Sequence, residues 1–205
     1  MSSIRIVRDY PHSPAKVWRA VTDPALIPLW TATGAGGRPE GFATVAGTRF
    51  QLIAKPKPGW NGVVDCEVLE VDEPSLLRWS WTDSSGGDVT QVLYRIEPHG
   101  GGTRFTYEHT GFTGGGGLFM AQLLGHVRRK MLRVGLPALL DDLDEEGVLR
   151  PGSTLTPKLH GPGGGRTAPG TRSRRAKRAF DLVMGVKRPI DDPGRVAETP
   201  PYDRV

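Results

Sequence analysis

Residues 3–10 (SIRIVRDY) alternate, with Ile4, Ile6 and Arg8 on one face and Arg5, Val7 and Asp9 on the other. That two-residue period predicts a strand, which Pro11 ends. Ser13 before Pro14 has the form of an N-cap followed by proline at the first helical position. The segment PAKVWRAVTD then sets Val17, Trp18 and Val21 on one side of a helix. Asp23-Pro24 breaks it, and PALIPLW reads as a second short helix or turn reaching Trp30.

After a Gly-rich loop (ATGAGGRPEG) come alternating runs separated by turns. FATVAG leads into TRFQLIA, with Phe50 and Leu52 in phase. GVVDCEVLEVDEP aligns Val64, Cys66 and Val68, and LLRWSWTD aligns Leu77, Trp79 and Trp81. VTQVLYRIEP aligns Val92, Tyr94 and Ile96, and TRFTYEHTGF aligns Phe105, Tyr107 and His109. This rhythm predicts a curved antiparallel meander. A long helical pattern from about Leu118 to Asp144 closes the series, with Met120, Leu123, Val127, Met131 and Val134 as one stripe. Gly135 and Pro137 predict a kink, and the acidic residues Asp141 to Glu146 oppose the helix dipole at its end.

Strand, two short helices, about six strands and a long helix define an α+β fold, with about six to seven strands in the sheet. The sheet must cover its apolar face, and the terminal helix is the element long enough to do so. A curved sheet around one helix leaves a space, and aromatic side chains that line it without filling it make it a ligand cavity.

Composition divides the chain in two. Residues 1–149 carry 15 Lys and Arg against 17 Asp and Glu, while residues 150–205 carry 12 against 5, so the net charge of +5 belongs to the tail. That tail also holds 8 Gly and 8 Pro. It buries too little apolar surface to offset a backbone ordering cost of roughly 1–2 kcal/mol per residue. Residues 1–149 are therefore read as the folded domain, and 150–205 as a mostly disordered basic tail with a short helix at 172–186. No transmembrane run is present, and MSSIRIVRDY lacks an apolar signal core, so a cytoplasmic setting is expected. The single cysteine, Cys66, excludes an internal disulfide framework.

The order of elements, together with YPHSPAKVWRAVTDPALIPLW, the strand ending EVDEPSLLRWSW and the run GGTRFTYEHTGF before a long helix, resembles the START-like helix-grip superfamily (also called SRPBCC, and Bet v-like in shape). The nearest likeness is to the branch of the activator of heat-shock protein 90 ATPase C-terminal domain, over about residues 4–145. The resemblance implies a helix-grip fold. It allows three roles: binding or transfer of a small hydrophobic molecule, polyketide cyclase or aromatase chemistry, and a chaperone-activator-like protein-interaction module.

The ligand-binding candidates are Trp30, Phe50, Trp79, Trp81, Tyr94, Phe105, Tyr107, His109, Phe119, Leu123 and Val127. Phe42 and Trp60 complete the aromatic set, Trp60 at a loop that suits a rim. His109 is the acid/base candidate, because an imidazole titrates near neutral pH. Its bland alternative is a core histidine hydrogen-bonded to backbone or tyrosine. Asp65 and Glu67 alternate away from the apolar face and read as solvated. The five histidines are scattered without HExxH spacing, and neither GAGG (34–37) nor GGGG (114–117) has phosphate-loop context, so no metal and no cofactor are expected. GGGG reads instead as a flexible lead into the long helix. Arg172, Arg174, Arg175, Lys177 and Arg178 precede an apolar patch and have the form of a basic amphipathic helix for anionic lipid or nucleic acid, but a solvated, weakly docking tail is favoured and nucleic-acid binding is not expected; a protein partner could be held with the tail as tether. Binding ranks ahead of catalysis.

Overall fold

The computed structural model describes residues 2–31, 37–56, 60–84 and 87–155. The tail beyond 155, including 172–186, lies outside the described residues.

Strand β1 (Ser2–Tyr10) is followed by helices α1 (Pro14–Thr22) and α2 (Ile27–Thr31). Six strands come next: β2 (Arg38–Glu40), β3 (Arg49–Ile53), β4 (Val63–Asp72), β5 (Leu76–Asp83), β6 (Thr90–His99) and β7 (Gly102–Phe112). Helix α3 (Gly114–Lys130), a π-helical turn (Met131–Gly135) and α4 (Leu136–Asp142) form the terminal rod. All neighbouring strands pair antiparallel in the order β1-β7-β6-β5-β4-β3-β2. Ser13 caps α1 by accepting the Lys16 amide at 3.3 Å, with Pro14 in the first turn.

Register carries the inward residues into rows. Ile4, His109, Val92, Trp79 and Val68 face one another across five strands. Beside them run Ile6, Tyr107, Tyr94 and Leu77. The opposite face is polar and laced with ion pairs such as Arg104–Asp9 at 2.8 Å and Arg49–Glu67 at 3.2 Å.

Two expectations about the sheet are corrected. FATVAG is a loop, and the strand before β3 is instead Arg38–Glu40. That short edge strand has no apolar alternation and is held by pairing to Gln51, Leu52 and Ile53, an edge position that tolerates Pro39. Positive φ at Gly41 (76°) and Gly47 (85°) brackets the loop, a conformation that favours glycine.

The rod differs as well. Helix α3 starts at Gly114 rather than near Leu118, so the glycine run is its first turn. The expected kink is a π turn: the Leu136 amide donates to the Met131 carbonyl, five residues back. Pro137 has no amide to offer the next carbonyl, that of Leu132. Tyr10 fills the vacancy, its hydroxyl donating to Leu132 O at 2.7 Å. The longer turn also resets the helical phase. Met131, Leu132, Leu136, Leu139 and Leu140 are buried, and Val134 is 47% exposed instead of continuing the stripe.

The rod leans on β1 and β7, while α2 packs on the π turn and α4. The sheet's other wing, β2 to β5, curls past the rod without touching it closely. The space left between that wing and α3 positions the site.

Candidate functional site

A hollow of about 390 Å³ lies between β3–β6 and α3, within the roughly 300–1,000 Å³ range of small-molecule sites. Strands supply Phe50, Trp79, Trp81 and Tyr94, and α2 supplies Trp30. Helix α3 supplies Leu123 and Val127, along with Met120, Leu124 and Arg128. Phe42 and Trp60 join from the loops. The aromatic wall is ordered by edge contacts: Trp79 meets Tyr94 at 4.5 Å and 89°, and Phe42 meets Phe50 at 4.9 Å and 68°.

Four sequence candidates do not line this hollow. Phe105 is fully buried between Tyr10 and Tyr94. Tyr107 and His109 are buried where the rod covers β7, because α3 leans on that side of the sheet. Phe119, one position off the inward face of α3, is 53% exposed.

His109 sits inside a directional hydrogen-bond chain. The Thr90 hydroxyl donates to the Trp81 carbonyl at 3.0 Å, so toward His109 it accepts, from Nε2–H at 2.8 Å. Nδ1 is then the acceptor, taking the Tyr107 hydroxyl at 3.2 Å. The Tyr107 oxygen in turn accepts from Arg128 Nε at 3.2 Å. Burial pushes the His109 pKa down to about 3, and the Arg128 charge adds to that, so the ring is neutral. Both nitrogens are occupied by protein groups, and a proton-transfer role toward a ligand has no open atom on this ring. The bland alternative describes the geometry.

Sequence reasoning missed Arg128. It follows Leu124 by four and precedes Met131 by three, so it stands on the apolar stripe itself, and a cation in that phase was the available signal. Its guanidinium lies 5.2 Å from the Trp81 ring centroid and 5.8 Å from that of Tyr107. Burial works against the charge, the hydrogen bond to the Tyr107 oxygen favours it, and the pKa is raised. Burial raises the pKa values of Tyr94 and Tyr107, which are neutral phenols. Asp83 and Asp88 also line the hollow, the latter accepting from Thr113. No group of three or more metal-ligating side chains is found among the described residues.

A curved seven-stranded sheet gripping a terminal helix, with two short helices after the first strand, is the helix-grip fold. The chain belongs to the family described as Activator of Hsp90 ATPase homolog 1-like protein, whose model matches residues 11–145. Protein MLL2253 from Mesorhizobium loti is 28% identical in sequence, with a TM-score of 0.59 over 70% of this chain and 99% of its own. CalU16 from Micromonospora echinospora is 26% identical, with a TM-score of 0.53 over 73% and 77%. DynU16, a protein of the dynemicin biosynthetic locus, is 22% identical with a TM-score of 0.56, and shares the fold. This chain covers 69% of itself and 48% of DynU16 in that alignment. No curated protein matches the chain. No helix among the described residues is long and apolar enough to cross a membrane.

Proposed function

We propose that residues 1–149 bind a small hydrophobic molecule, of lipid, polyketide or other aromatic kind, between the sheet and α3. The observation that carries this reading is the hollow of about 390 Å³ walled by Trp79, Trp81, Leu124 and Val127. Apolar walls of this kind gain about 25 cal/mol for each Å² of ligand surface removed from water. Some 200 Å² would contribute about 5 kcal/mol before the cost of ordering the ligand. A cyclase role through His109 has less support, since Thr90 and Tyr107 occupy both ring nitrogens.

The test is fluorescence titration with fatty acids, flavonoids and aromatic polyketides, with Trp79 and Trp81 as reporters, joined to native mass spectrometry of the purified protein. Saturable quenching and a co-purified small molecule are expected. Absence of saturable binding across the panel, with no retained mass, overturns the reading.

A further inference from the structure

The hollow is apolar in bulk, yet its lining includes a charged side chain whose bonding capacity is not spent. Arg128 enters it as a cation, and no carboxylate among the described residues pairs with that cation. Its bonds are the one from Nε to Tyr107 and a contact from a terminal nitrogen to Met131 Sδ at 3.3 Å. A guanidinium has five N–H donors, so most of its donor capacity is unspent on oxygen. Of the carboxylates on the same hollow, Asp88 holds Thr113, and Asp83 is not free.

Trp79 lines the hollow and is only 6% exposed, yet its buried indole Nε1–H has no acceptor. An indole N–H is a donor only, and buried donors are almost always satisfied. The Tyr94 ring packs edge-on against Trp79 in the same wall. The cavity thus offers a permanent positive charge inside a wall of rings. A cation in a low-dielectric site favours an anionic partner far more strongly than it would in water.

From this geometry we infer that the guest is an amphipathic anion: an apolar body carrying a carboxylate, whose oxygens take the free N–H groups of Arg128. The inference rests on the proposed ligand-binding role and narrows it to a chemical class. Arg128 would select the charge, because its planar fork matches a carboxylate in two-point geometry. Its Nε bond to Tyr107 holds the fork in place.

Matched acid and ester pairs separate this inference from the reading beneath it. Dodecanoate with methyl dodecanoate, and 2-naphthoate with methyl 2-naphthoate, are titrated by tryptophan fluorescence at pH 7.5, a working value well above carboxylic acid pKa values of about 4–5. In the unaltered protein, at least one acid is expected to bind on the order of tenfold more tightly than its ester, roughly the worth of one charge-assisted contact. Arg128→Met should erase that ratio, and Arg128→Lys should retain part of it. Circular dichroism and thermal melting check the fold of each variant. The acid-to-ester ratio of the unaltered protein needs no variant, so a Met variant that fails to fold does not leave the matter open. Equal binding of acid and ester in both pairs overturns the anion and leaves the hydrophobic site standing. An acid preference that survives Arg128→Met in a folded variant overturns the role of Arg128. Binding by no member of either pair overturns the inference together with the reading beneath it.

Discussion

Tyr10 and Leu132 are 122 positions apart in sequence, and the Tyr10 hydroxyl donates to the Leu132 carbonyl at 2.7 Å. The first strand thereby supplies the hydrogen bond that Pro137 withholds from the π turn. Tyr10→Phe should lower unfolding free energy by roughly 1–3 kcal/mol, since it strands a buried carbonyl while keeping the ring. Urea unfolding measures this. A midpoint equal to that of the parent would mean that Leu132 O finds another donor.

His109 makes stability depend on pH in a defined direction. Its folded pKa is about 3 against an ordinary value of 6.5, with burial as the main cause. Between those values the unfolded chain takes up a proton that the folded chain refuses. The contribution is therefore complete above pH 6.5 and is lost as pH falls toward 3. It is on the order of 5 kcal/mol at most. His109→Gln should be less stable than the parent at pH 7, with the gap narrowing steadily by pH 4. Urea midpoints across that range decide it, and a gap that stays constant would assign the acid sensitivity to other groups.

Cys66 faces inward on β4, and burial pushes its thiol up to about 12. On the order of a thousandfold less thiolate is then available than for an ordinary cysteine. Iodoacetamide at pH 8 should leave the folded protein unmodified over an hour and label it within minutes in urea. Mass spectrometry reads the outcome, and rapid labelling of the folded protein would show that β4 opens locally.

Filling the hollow should separate binding from stability. Leu124 is only partly buried and projects from α3 into the space. Leu124→Trp occupies volume that the core does not need, so the melting temperature should shift by a few degrees or less. Affinity for any ligand found by titration should fall at least tenfold. Unchanged affinity in the folded variant would place the ligand elsewhere.

The sheet was legible where an inward residue alternates with a polar one, as in Val64, Cys66 and Val68 of β4. It was not legible at Arg38–Glu40, where main-chain pairing to β3 makes the strand and side chains contribute no pattern. Phase along β7 correctly turns Phe105, Tyr107 and His109 inward. What phase does not carry is which inward positions meet another element and which meet open space. That depends on the lean of the rod toward β1 and β7, a long-range packing result. Arg128 was hidden for a different reason. A charge in an apolar run reads as an interruption until the chain bringing Tyr107 and Trp81 beside it is folded.

The run of bonds from Arg128 through Tyr107, His109 and Thr90 to the Trp81 carbonyl has a single polarity, each donor pointing toward the next acceptor. It fastens the middle of the rod to three adjacent strands like a ratchet pawl. Were α3 to roll about its axis, the arginine would be drawn off the tyrosine and every downstream group would have to reorient. The shape of the guest chamber is thus inherited from strand alignment, and a one-residue slip of β6 against β7 would unlatch the rod as surely as deleting the arginine.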